Sequence, residues 1–120
     1  MAKVMLVEDD PTMLALLNTF LEIEGYQVAQ MNSFENVLEE IRSHNPDIVL
    51  MDVHLQDVDG MKLLESIRQD GELKETVVIM SSGIDFSEES MSKGANEFLL
   101  KPYMPEELIS KIKRLLGNRC

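Results

Sequence analysis

Four short apolar runs in this chain each end in a side chain that can do chemistry. Val4–Val7 leads into Glu8 and Asp9, and Ile48–Met51 leads into Asp52. Ser82 closes the run that begins Val77-Val78-Ile79-Met80, and Lys101-Pro102 closes Phe98–Leu100. If the runs are neighbouring strands, three carboxylates, a hydroxyl and an ammonium meet at one sheet edge. Two carboxylates ~5 Å apart repel by ~3 kcal/mol at an effective dielectric near ~20. Three of them need compensation. Lys101 offsets one charge, and a hard divalent cation offsets two. Oxygen donors favour magnesium or manganese over softer metals, in an open octahedral site that keeps several waters. Beside such a cation a carboxylate is a competent nucleophile toward phosphorus. Asp52 is then the candidate acceptor. The cation, Lys101 and the Ser82 hydroxyl or nearby backbone N–H groups would hold the equatorial phosphoryl oxygens.

The elements that must position these groups alternate between strand and helix. Lys3–Val7 reads as a strand. Asp10-Pro11 opens a helix, Asp as N-cap and Pro at the first helical position. Its apolar stripe is Met13, Leu14, Leu16, Leu17, Phe20, Leu21 and Ile23, and Gly25 ends it. Tyr26–Met31 is a second strand. Ser33 caps a helix from Phe34 to about Ser43, broken by Asn45-Pro46. Ile48–Asp52 is a third strand, followed by a loop, His54–Gly60, and a helix over about Met61–Gln69. Val77–Ser81, a weaker helix over about Ser87–Lys93, the strand Glu97–Leu100 and the helix Pro105–Leu116 complete the order. Strands this apolar on both faces belong in a parallel sheet covered by helices. Repeated βα units with right-handed crossovers build a doubly wound α/β sandwich. Its site lies beyond the strand C-termini, where the strand order reverses.

The motifs Val7-Glu8-Asp9-Asp10, Leu50-Met51-Asp52 with the Asp59-Gly60 turn, Ile79-Met80-Ser81-Ser82-Gly83, Gly94-Ala95 and Phe98-Leu99-Leu100-Lys101-Pro102 run the length of the chain. Together they resemble the receiver (REC) domain of two-component response regulators, the chemotaxis regulator among them. The resemblance implies a flavodoxin-like, five-stranded parallel sheet of order 2-1-3-4-5 over a single domain, residues 1–120. It implies that Asp52 takes a phosphoryl group from the phosphohistidine of a sensor histidine kinase or histidine phosphotransfer protein. Magnesium would be held by Asp9, Asp52 and the backbone carbonyl of His54, with Glu8 acting through water. Lys101 would pair with the phosphoryl group, and Ser82 with Phe98 would form the switch pair. Such a protein is a phosphoacceptor switch that catalyses its own phosphorylation and dephosphorylation, with no turnover substrate.

Several positions depart from the common receiver pattern. Gln56 stands where a proline usually shapes the loop, which predicts a more mobile loop. Ser82 replaces a more usual threonine, and Phe98 a frequent tyrosine. The Ser82–Gly94 segment is about three residues short of the usual length, close to one helical turn of ~3.6 residues. The phosphorylation chemistry is therefore expected to carry over more faithfully than any dimer or output surface.

Composition narrows the other classes. A chain of 120 residues is one domain with enough core to fold without staples. Its single cysteine, Cys120, allows no disulfide within the chain and reads as a free thiol. The net charge of −11 lacks the basic surface that nucleic-acid binding requires. No apolar run reaches the ~18–20 residues of a membrane span. The start, Met1-Ala2-Lys3-Val4, lacks a signal-peptide layout, so a cytoplasmic protein is expected. An aspartyl-phosphate hydrolase would want a second acid two residues after the nucleophile, where His54 stands. A flavin module would want a Ser-, Thr- or Gly-rich loop in place of Glu8-Asp9-Asp10. Two forms of the receiver reading stay open: a single-domain regulator acting by protein contacts, and a receiver belonging to a longer protein with an output domain. A homodimer is compatible with both.

Overall fold

The computed structural model of the protein describes residues 1–31 and 33–117; Cys120 lies outside the described residues. Five strands form one parallel sheet: β1 (Lys3–Val7), β2 (Gln27–Gln30), β3 (Ile48–Asp52), β4 (Val77–Ser82) and β5 (Glu97–Leu100). Their order is β2-β1-β3-β4-β5, as expected for the doubly wound class. The crossovers are α1 (Pro11–Ile23), α2 (Val37–His44), α3 (Gly60–Gln69) and α4 (Ser87–Ser92), and α5 (Pro105–Leu116) ends the order.

Alternation along the strands divides the core in two. Val4, Leu6, Ile48, Leu50, Ile79 and Leu99 pack with Leu17 and Leu21 of α1 and Leu108, Ile112 and Leu116 of α5. Met5, Val7, Val49, Met51, Val78 and Met80 pack with Val37 and Ile41 of α2 and Met61, Leu64 and Ile67 of α3. Both faces of β1 and β3 are thus dry, which is why these strands read as unbroken apolar runs.

Local signals placed most boundaries. The Asp10 carboxylate accepts from the Thr12 and Met13 N–H groups at 2.9 and 3.3 Å, capping α1. Gly25 follows it with φ +94°, a conformation glycine tolerates. Three expectations need correction. The α1 stripe is narrower than its sequence: Leu17 and Leu21 are buried, whereas Leu16 and Ile23 are 44% and 74% exposed. A helix packed on one side of a sheet buries only the stripe of residues that faces it. The second helix starts at Val37, not Phe34, because the Ser33 hydroxyl accepts from Glu35 N–H and closes a local turn instead. The segment after Asp52 is not a plain loop. His54-Leu55 and Val58-Asp59 pair as a small antiparallel ladder, and Gln56 turns it with φ 50°.

Candidate functional site

The three carboxylates converge at the C-terminal edge, between β1 and β3. One oxygen of each of Glu8, Asp9 and Asp52 lies within 4.8 Å of the others. β1 and β3 are hydrogen-bonded neighbours, and the chain leaves them toward opposite ends of the sheet. This is the switch point where α/β sheets open a crevice.

Glu8 and Asp52 are buried, at 4% and 6% exposure. Their charge is met by Lys101, whose Nζ donates to Glu8 Oε1 and Asp52 Oδ2, each at 2.8 Å. The other Glu8 oxygen accepts from the Asp9 and Asp10 N–H groups at 3.1 and 3.0 Å. Burial nevertheless raises the Glu8 pKa, outweighing the Lys101 hydrogen bond that lowers it. Burial also works against the Lys101 ammonium, but its bonds to Asp52 and Glu8 prevail and raise its pKa. Half-buried Asp9 accepts from Gln56 N–H through Oδ2 at 3.0 Å, which ties the ladder after Asp52 to the acid cluster.

The structure places the remaining expected residues as follows. Ser82 ends β4, and its hydroxyl oxygen accepts from Ile84 N–H at 3.2 Å. Its carbonyl accepts from Lys101 N–H at 2.8 Å, holding the lysine's main chain beside β4. Phe98 is half-buried against the α2/α3 side of the core. The His54 side chain is exposed, its ring 5.8 Å from that of Phe86. The Lys101–Pro102 peptide is cis.

Two residues of the site were missed in the sequence. Ser81 is 1% exposed, and its hydroxyl lies 2.7 Å from Asp52 Oδ1, as a donor to the carboxylate. The register that pairs Asp52 with Ser81 puts it there: Ser81 shares the face of Ile79, and Asp52 that of Leu50, whereas Ser82 shares the opposite face with Met80. The second is Tyr103, 8% exposed, whose hydroxyl has no hydrogen-bond partner among the described residues. Burial first, then the negative field of Glu8 and Asp52, pushes its phenol well above the ordinary range. An unpaired buried hydroxyl costs roughly 1–3 kcal/mol. Tyr103→Phe is therefore expected to leave stability unchanged or raise it by up to about 1 kcal/mol, read as the midpoint of urea unfolding.

The donor set fits a hard divalent cation: all oxygen, anionic, and only partly neutralised by one ammonium. Both oxygens of Glu8 and both of Asp52 already accept hydrogen bonds, whereas Asp9 has one oxygen bonded, to Gln56 N–H.

Comparison with known proteins agrees with this geometry. The sequence profile of the response regulator receiver domain matches residues 4–113, and the chain belongs to that family. Members are phosphoacceptor signalling switches that work with histidine kinases, and phosphorylation and magnesium binding are general features of the family. The sensory transduction protein BceR of Halalkalibacterium halodurans is 34% identical over 119 residues, covering 97% of this chain and 50% of its own length. The chain spans about half the length of the curated relatives it matches. A solved protein of Chloroflexus aurantiacus superposes with a TM-score of 0.87 at 32% identity, covering 98% of each chain. The chemotaxis response regulator CheY4 of Vibrio cholerae superposes with a TM-score of 0.86 at 25% identity, over 97% of this chain and 99% of its own. Among the described residues no helix is long and apolar enough to cross a membrane.

Proposed function

We propose that residues 1–120 act as one receiver domain in which Asp52 accepts a phosphoryl group from a phosphohistidine of a sensor histidine kinase or histidine phosphotransfer protein. The observation that carries this reading is the Asp52 carboxylate itself. It is buried among Glu8, Asp9 and Lys101 at the C-terminal edge of the sheet, beside a lysine that is itself only partly covered. The protein supplies the catalysis, and the donor supplies only the phosphoryl group. An Asp52 oxygen attacks phosphorus, and the bond to the donor breaks with its electron pair leaving on the donor.

Asp9, Asp52 and the His54 carbonyl would hold magnesium or manganese, with Glu8 bound through water. The cation supplies charge neutralisation for the phosphoryl oxygens and the carboxylates. Lys101, already at the Asp52 oxygen, meets a phosphoryl oxygen after transfer. Ser82, which ends β4 at the same edge, would move to take another, and Phe98 on the neighbouring strand would turn inward with it. The signal then passes to an output domain or a separate output protein, from a cytoplasmic location and without contact between this domain and nucleic acid. Pairing with a second copy is compatible with this arrangement.

Acetyl phosphate with magnesium tests the reading. Mass spectrometry is expected to show the gain of one phosphoryl group, released by hydroxylamine, and no gain in Asp52→Asn. An equal gain in Asp52→Asn would place the chemistry elsewhere and sink the assignment. Binding to the folded state alone also stabilises by mass action. Millimolar magnesium is expected to raise the melting temperature of the wild type, and to raise that of Asp9→Asn by much less. Equal shifts would remove Asp9 from the metal site.

A further inference from the structure

We propose that Ser81 is a positioning residue for the phosphoacceptor, holding Asp52 Oδ1 by a hydrogen bond that persists in the acyl phosphate. The inference rests on the receiver reading and adds to it a second hydroxyl with a separate task. The Ser81 hydroxyl lies 2.7 Å from Asp52 Oδ1, while Lys101 Nζ lies 2.8 Å from Oδ2. The two oxygens of one carboxylate are thereby made different. Oδ1 faces a serine that is 1% exposed, on the inner side of the site. Oδ2 faces the ammonium of a lysine whose side chain is 24% exposed, on the side a donor can approach.

The hydroxyl is also held rigidly. Ser81 pairs with Asp52 on one side of β4 and with Leu99 of β5 on the other. Its carbonyl accepts from Val53 N–H at 2.9 Å, directly after the phosphoacceptor. A group built into a central strand and bonded to both neighbours aims its partner better than a loop residue can. Ser82 does not share this task, since it stands on the other face with its oxygen on Ile84 N–H.

The chemistry follows from which oxygen is free. An Oδ2 lone pair forms the new bond to phosphorus, and the leaving group departs with the electrons of the bond that breaks. Oδ1 becomes the carbonyl oxygen of the acyl phosphate and keeps the Ser81 proton as its hydrogen-bond partner. In hydrolysis a water oxygen attacks phosphorus, the Oδ2–P bond breaks, and its pair returns to the carboxylate. The water's proton leaves with the phosphate and solvent. Negative charge builds on the carboxylate during that step, so a donor at Oδ1 strengthens as the bond breaks and speeds loss of the phosphoryl group.

Ser81→Ala, phosphorylated with acetyl phosphate and magnesium, tests this. The acyl phosphate is expected to persist about three- to tenfold longer than in the wild type, the rate equivalent of one hydrogen bond. Its carbonyl stretch, read by infrared difference spectroscopy on protein with carbon-13-labelled aspartate, is expected to move to higher frequency. Ser81→Thr keeps the hydroxyl and is expected to restore both. Ser81→Cys, close in volume and a weak donor, is expected to fall between wild type and alanine, and it serves if the alanine variant does not fold. A wild-type lifetime with an unmoved carbonyl band in the alanine or cysteine variant, while Asp52 of the wild type is phosphorylated, overturns the role of Ser81. Failure of the wild type to gain a phosphoryl group on Asp52 overturns the receiver reading instead.

Discussion

Gly60→Ala is expected to be the most damaging single methyl addition in this protein. Gly60 opens α3 directly after its N-cap Asp59, and its N–H donates to Val53 O at 2.7 Å. A Cβ there would overlap the Asp52 carbonyl oxygen and lie 3.0 Å from both the Asp52 carbonyl carbon and Val53 Cα. Backbone cannot swing aside as a side chain can, so the start of α3 and the end of β3 must separate. Overpacking against fixed backbone costs about 3 kcal/mol or more. In a domain of this size that is a fall of roughly 10 °C in melting temperature. The displaced residue is Asp52 itself, so phosphoryl uptake from acetyl phosphate is expected to fall together with stability. Gly71→Ala is the control, because a Cβ there meets nothing within 4 Å. It is expected to stay within about 0.5 kcal/mol of wild type. Equal unfolding midpoints for the two variants would show that α3 can shift freely on β3.

Lys101→Met is expected to have the next largest effect, with a marked pH dependence. The lysine joins Glu8 and Asp52, whose side chains are 3% and 8% exposed, and no other cation contacts either carboxylate among the described residues. Removing one partner of a fully buried pair costs about 3–5 kcal/mol; partial exposure of Lys101 reduces this to about 2 kcal/mol. In chelator-treated protein the deficit is expected to be greatest from neutral to mildly alkaline pH. The Glu8 pKa is raised in the fold, chiefly by burial, so protonation becomes favourable as pH falls toward the acid range and relieves the variant. The Lys101 pKa is also raised: its contribution is complete below the ordinary lysine value and is lost as pH rises through the higher folded value. The gap between wild type and variant therefore narrows at both ends. Magnesium is expected to recover part of the loss, because it replaces the missing positive charge. A deficit that is flat from pH 5 to pH 11 would remove Lys101 from the electrostatic account, where the window of ~5–11 brackets the ordinary carboxylate and lysine ranges.

Much of this protein was legible without coordinates because the decisive signals are local. Apolar runs ending in Glu8, Asp52 and Lys101 marked strand ends, and Asp10-Pro11 marked a helix start. Alternation of such runs with amphipathic stretches defines a parallel sheet covered on both faces, and a parallel sheet places its strand ends along one edge. The convergence of Glu8, Asp9 and Asp52 follows from that topology.

Contacts between strands belonged to the tertiary structure. Whether Ser81 or Ser82 meets Asp52 depends on the register of β4 against β3, which pairs Asp52 with Ser81. A shift of one residue would exchange the two faces, and nothing within either strand specifies it. Lys101 reaching Glu8 across 93 residues, and Gln56 tying its ladder to Asp9, likewise depend on which loops the sheet brings together. Residue types and their spacing determined which chemistry this chain carries. Register and packing decided which hydroxyl touches the carboxylate, because side-chain parity acquires meaning only once neighbouring strands are aligned.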